Sequence, residues 1–298
     1  MDHSFYPPAR PGAAPAAPPA FGYYDLGATT VYAASADPRF HYCLYVPPGY
    51  QAGATPAEIL VVVHGSPRTF MDFRDQFADF AEAQQVVVVC PLFPVGLGDD
   101  AKGDDYKYLS QGGIRYDEVL LGIVEDVRRR YALAAPRFGL FGFSGGAQFA
   151  NRFLLLQPQH LWAASLGAPG SVTLVDDSQD WWVGTRDIAA CFGRPLDRAA
   201  LRQVPVQLLV GAEDLDGREI THREGGRFWM PGANQAGASR PERLETLRRS
   251  LVAAGLAVTH EVIAGAGHDA APAIRHAKPY LAEQLARHRA ATLAMTTP

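Results

Sequence analysis

The sequence predicts an α/β fold: a mostly parallel, doubly wound sheet with helices between successive strands. Residues 59–63 (ILVVV) and 86–90 (VVVVC) are continuous apolar runs, the mark of strands buried on both faces. Stretches with helical spacing separate such runs, so strand and helix alternate along the chain. The length of 298 residues, 48% of them hydrophobic, suits one large domain over 21–298 with a sizeable core.

Taken in order, residues 1–20 are rich in proline and alanine and predict a flexible arm. Residues 29–33 and 40–46 carry β-formers bounded by turn residues and predict an antiparallel pair. After the 59–63 strand, Phe73, Phe77 and Phe80 share one face of a helix around 70–83. The 86–90 strand follows. Residues 99–105 form an acidic loop without the ligand spacing of an EF-hand, so a solvated loop is expected. A helix over 116–131 ends in Arg128, Arg129 and Arg130, which suit the negative end of a helix dipole. Then come a strand over 138–143, a helix over 147–156 and strands over 161–166, 204–210 and 258–263. A last helix is expected from about 272 to 289. Two longer connections stand out. Residues 171–200, with Trp181 and Trp182, are read as a small lid. Residues 215–240, with Phe228, Trp229 and Met230, are read as a loop over the site.

Bulk properties exclude several classes. A net charge of −4 gives no polyanion-binding signal, so nucleic acid is not expected as a partner. The three cysteines, Cys43, Cys90 and Cys191, are too few and too scattered for a disulfide framework or a zinc site. No apolar run reaches the 18 or so residues of a membrane span, and the N-terminus does not resemble a signal peptide, so a cytoplasmic location is expected.

The chemistry centres on Gly142-Phe143-Ser144-Gly145-Gly146, between a strand and a helix. This is the nucleophile-elbow pattern. Gly142 and Gly145 leave steric room for a strained turn that lifts the Ser144 hydroxyl clear of the sheet edge. Three other strand ends carry the groups such a serine needs, since ligands of parallel sheets sit outside the carboxyl ends of the strands. His64-Gly65-Ser66-Pro67 follows the first parallel strand. Gly211-Ala212-Glu213-Asp214 follows the 204–210 strand, and Gly267-His268 follows the last one. A serine hydroxyl is a poor nucleophile until a neutral imidazole takes its proton. A buried carboxylate must then orient that ring and stabilise the imidazolium. His268 is the expected base and Asp214 the expected acid. Glu213 and Asp216 lie close enough to compete for the latter role, and Asp176 or Asp177 is a weaker alternative. The expected oxyanion donors are the backbone N–H groups of Gly145 and Ser66, because Pro67 has none. His64 is expected to brace its own turn rather than take part in chemistry.

Together these motifs identify a resemblance to the α/β-hydrolases over residues 27–290. Within them the Ser-Gly-Gly elbow and compact layout are similar to polyhydroxybutyrate-depolymerase-like and dienelactone-hydrolase-like esterases. The resemblance implies the α/β-hydrolase fold and a serine hydrolase acting on a small-molecule carboxylic ester, with no metal or organic cofactor. A peptidase, an amidase or a lactonase would use the same triad. A ligand-binding protein that had lost catalysis would usually lack a triad member, and all are present. Trp181, Trp182, Trp229 and Met230 are the expected pocket residues.

Overall fold

A computed structural model of the chain describes residues 21–53, 57–97 and 103–296. The expected arm over 1–20 and residues 99–102 of the acidic loop lie outside them.

The first antiparallel strands are shorter than predicted. β1 (Gly27–Ala28) and β2 (Tyr32–Ala33) each pair with β3 (His41–Val46). Between them the Thr29 hydroxyl accepts the Leu44 N–H at 3.0 Å. The side chain thus replaces a backbone acceptor, and the ladder is interrupted there. β4 (Glu58–Val63) is buried at every position. The predicted helix after it is broken into α1 (Phe70–Gln76) and α2 (Ala78–Gln84). The break falls at Phe77, whose fully buried ring packs 5.2 Å from that of Phe141. Tertiary packing outweighs helix propensity at this position.

β5 (Val86–Leu92) is followed by a 3₁₀ turn over Asp105–Tyr108 and a ribbon of β6 (Ser110–Gln111) and β7 (Ile114–Arg115). Then come α3 (Tyr116–Tyr131), β8 (Phe138–Phe143), α4 (Gly145–Leu156) and β9 (Leu161–Gly167). Two short helices, α5 (Ile188–Phe192) and α6 (Arg198–Leu201), precede β10 (Val206–Gly211). The chain ends with α7 (Arg240–Ala253), β11 (Val258–Ile263) and α8 (Ala270–Thr296). The start of α7 is capped by Ser239, whose hydroxyl accepts the Glu242 N–H at 3.4 Å.

The main sheet runs β1-β3-β5-β4-β8-β9-β10-β11. β3 is antiparallel to β5, and from β5 onward all neighbours are parallel. Helices cover both faces. Phe141 meets Phe77 of the α1–α2 junction, whereas Phe138, three residues earlier, meets Phe153 of α4. An odd spacing along a strand puts two side chains on opposite faces. α8 lies with α2, since Lys278 bonds Asp79 at 2.6 Å. The order reverses between β4 and β8: the chain steps outward to β5, then returns to the other side of β4. Such a switch point opens a crevice at the carboxyl ends of the two strands.

Candidate active site

The switch point sets the turns after β4 and β8 side by side. Ser144 joins β8 to α4 with φ 55° and ψ −115°, a conformation that L-residues avoid. Its N–H donates to the Gly167 carbonyl at 2.8 Å, which ties the strained turn to β9. The glycines explain how the turn closes. A Cβ on Gly142 would lie 2.2 Å from the Gly146 carbonyl oxygen, and one on Gly146 would lie 2.2 Å from that of Val63. The close backbone approach is therefore made by Gly142 and Gly146. Gly145 is tight for another reason: its missing Cβ would meet the Tyr106 hydroxyl at 2.3 Å.

The three separated strand ends converge. His268 Nε2 lies 3.0 Å from Ser144 Oγ, and its Nδ1 lies 2.7 Å from Asp214 Oδ2. Asp214 is buried, while the ring of His268 is partly open to solvent. The other acids point elsewhere. Glu213 is exposed, and Asp216 pairs with Arg218 at 2.6 Å. Asp176 accepts from Ser178, and Asp177 pairs with Arg198. Asp214 has a second partner that the sequence did not reveal. Arg240, the first residue of α7, donates from its buried guanidinium to Asp214 Oδ1 at 2.9 Å. One carboxylate oxygen thus faces the imidazole and the other an arginine. The signal for this pair was only a helix start 26 residues downstream of the acid, which no local pattern connects to it.

The Gly65–Ser66 turn lies against the serine. A Cβ built on Gly65 would sit 3.7 Å from Ser144 Cβ, and Ser66 Oγ would be 3.2 Å from one built on Gly145. Neither the Ser66 nor the Gly145 N–H donates to a protein acceptor among the described residues. His64 is fully buried beneath them. Its Nδ1 is 2.8 Å from the Gly65 carbonyl oxygen, and its Nε2 accepts the Phe93 N–H at 3.1 Å. Those two bonds require the Nδ1-protonated neutral ring. Burial drives the His64 pKa down to about 3, which keeps it neutral.

A cavity of about 450 Å³ opens beside the first turn of α4, with neither Ser144 nor His268 in its lining. Gln148, one helical turn after Ser144, lines it, as do Lys107, Tyr108, Ser171 and Trp229. Of the four expected pocket residues only Trp229 reaches this cavity. Trp181 instead packs edge-on to Phe192 at 4.8 Å. Trp182 is buried behind Tyr108, with its indole N–H donated to the Phe228 carbonyl at 3.0 Å. Met230 joins the same apolar cluster. These side chains anchor the two long connections to one another, which is the packing role of large apolar groups. The expectation of a solvated acidic loop is also corrected at its end. Asp105 is buried and pairs with Arg227 at 2.8 Å, tying the 3₁₀ turn to the 215–240 connection. Among the described residues no group of acids, histidines and cysteines is placed to hold a metal, and no helix is long and apolar enough to cross a membrane.

The fold is that of the α/β-hydrolases. The chain superposes on poly(aspartic acid) hydrolase-1 from Sphingomonas sp. KT-1 with a TM-score of 0.65 and 20% identity, covering 80% of this chain and 92% of that one. The poly(3-hydroxybutyrate) depolymerase LpqC from Bordetella parapertussis matches with TM-score 0.65 and 22% identity, over 83% of this chain and 87% of that one. An S-formylglutathione hydrolase from Agrobacterium tumefaciens follows with TM-score 0.55 and 18% identity, over 83% and 90%. No protein-family model matches the chain, and no curated protein matches it significantly.

Proposed function

We propose that the chain is a serine hydrolase that cleaves a small carboxylic ester through an acyl-enzyme. The observation that carries this reading is the hydrogen-bonded line from Asp214 through His268 to Ser144 at a strained strand-to-helix turn. Asp214 orients the imidazole and stabilises its protonated form. Nε2 of His268 takes the Ser144 proton as Oγ attacks the carbonyl carbon. The N–H groups of Ser66 and Gly145 receive the developing oxyanion, each contributing about 3 kcal/mol in comparable sites. His268 returns the proton to the leaving alcohol, then activates water to release the acid. The names of the fold neighbours, a polyester depolymerase and a thioester-type hydrolase among them, agree with acyl transfer. An amide reading draws on the name of another neighbour, the poly(aspartic acid) hydrolase.

The test is turnover of p-nitrophenyl acetate and butyrate, with fluorophosphonate labelling. Wild type is expected to hydrolyse both esters and to be labelled at Ser144. Ser144→Ala is expected to lose labelling and all but about 10⁻⁶ of kcat. Activity surviving in that variant would remove Ser144 from the mechanism. Turnover of matched anilides at rates near those of the esters would favour the amide reading.

A further inference from the structure

Cationic groups gather around the cavity beside α4, in a protein whose net charge is −4. Two guanidiniums lie buried in its wall. Arg152 on α4 donates to the Lys107 carbonyl at 2.7 Å, the Ser171 hydroxyl at 2.9 Å and the Thr173 hydroxyl at 2.9 Å. Arg243 on α7 donates to the carbonyls of Gly170, Ile220 (2.8 Å) and Gly237 (2.9 Å), and to Asn234 at 3.2 Å. Lys107, Gly170, Ser171 and Ile220, which receive these bonds, line the cavity itself. Every acceptor is neutral, and neither arginine forms an ion pair with a carboxylate among the described residues. Burial pushes both pKa values down only to about 10, so both remain charged at neutral pH. Buried charges are ordinarily paired, because desolvation of a lone ion is costly.

Other cations reach the cavity. Arg223 at its rim has no ion-pair partner among the described residues. Lys107 and Arg227 line it, each beside an aspartate, Asp104 and Asp105 respectively. Glu219 also lines it, 3.9 Å from Arg240. Five cationic groups therefore face three carboxylates, an excess of two: with Lys107 and Arg227 paired, Arg152, Arg243 and Arg223 are left against Glu219 alone. His222 adds no charge at neutral pH. Burial and the field of Arg243 and Arg152 hold its pKa down at about 4. Lys107 connects this field to the reaction centre, since its Cε lies 2.9 Å from where a Cβ on Gly145 would stand.

We infer that the cavity binds an anionic group, a carboxylate carried by the acyl part of the substrate, with Lys107 and Arg223 as its direct partners. The two buried arginines supply a fixed positive potential through the wall. A low-dielectric wall strengthens such a potential relative to water. This inference rests on the serine-hydrolase reading, and the experiment separates the two.

The matched pair is mono-p-nitrophenyl adipate and p-nitrophenyl hexanoate, which share chain length and leaving group and differ by a terminal carboxylate. The ratio of their kcat/KM values, adipate over hexanoate, is expected to be at least about tenfold, the effect of one partly buried charge pair. It should fall toward one in Lys107→Gln and Arg223→Gln, and should be restored in Lys107→Arg. A ratio of one or less in the wild type, with hexanoate still turned over, overturns the anionic cavity and leaves the hydrolase reading intact. If neither ester is cleaved and Ser144 is not labelled by fluorophosphonate, the hydrolase reading fails. Calorimetric titration of adipate then decides the cavity alone. Saturable binding weakened by Lys107→Gln supports it, and heats of dilution only overturn it.

Discussion

Asp214 stands three residues after Gly211 and is the expected acid, with Glu213 beside it as a competing carboxylate. What separates them is burial. Asp214 is 3% exposed and meets both His268 and Arg240, whereas the Glu213 side chain faces solvent. Asp214→Asn keeps the shape and removes the charge, so it is expected to lower kcat by about 10⁴, as loss of the orienting acid does in such triads. Glu213→Gln is expected to leave kcat within about twofold, since surface changes away from such features have small effects. Steady-state kinetics of the two variants on p-nitrophenyl butyrate check this, and the opposite order would move the acid to Glu213. Arg240 is a positioning residue for the same carboxylate. Removing one partner of a buried pair costs about 3–5 kcal/mol, so Arg240→Leu should lower the melting temperature measurably. It should also shift the pH profile of kcat/KM, because the charge facing Asp214 has changed. A merely structural role would leave that profile in place.

Each functional residue is carried by the end of a strand or the start of a helix. The elbow depends on two backbones touching where β8 enters α4 beside the end of β4. Gly146→Ala forces a methyl within 2.2 Å of the Val63 carbonyl, and neither backbone can yield without moving its strand. The variant is expected to lose at least about 2–4 kcal/mol of stability by urea denaturation, and to lose activity with it. Gly267, whose Cβ would meet nothing within 4 Å, is the control, and Gly267→Ala should cost far less. The buried strands and most helices were legible as elements because their pattern is local: continuous apolar runs, and apolar spacing along a helix. The break at Phe77 was not, because a phenylalanine there fits a continuous helix. Its contact with the ring of Phe141, far away in the chain, exists only in the folded sheet. The 29–33 stretch keeps only β2 as a strand for a related reason, a side-chain hydroxyl competing with the ladder.

At the scale of the molecule, His64 couples stability to pH. The folded state leaves it neutral down to about pH 3, whereas the unfolded chain protonates it near 6.5. Between these values the unfolded state holds more protons, so unfolding becomes easier as pH falls from about 6.5 toward 3. The effect of this group is at most about 1.4 kcal/mol per pH unit. His222, with its pKa lowered to about 4, acts in the same direction over a narrower window. Urea midpoints measured from pH 7 down to pH 4 are expected to decline. The slope should flatten in His64→Gln, which retains a donor and an acceptor for Gly65 and Phe93. A midpoint in that variant that follows the wild type at every pH would remove His64 as the cause.

The sequence by itself determined the α/β class, the run of buried strands, and the four strand ends at which polar groups gather. It did so because a strand buried on both faces must be apolar throughout, and because glycines mark turns that side chains would obstruct. Only the tertiary structure decided which acid meets His268, that Arg240 stands behind it, and that Trp181, Trp182 and Met230 pack between connections rather than line the cavity. It also decided that Arg152 and Arg243 lie buried beside that cavity. These outcomes depend on contacts between residues distant in the chain, whose pairing is set by strand order at the β4–β8 switch. An arginine reads as a surface charge in a sequence, and its burial without a carboxylate partner becomes visible only once the chain has closed around it.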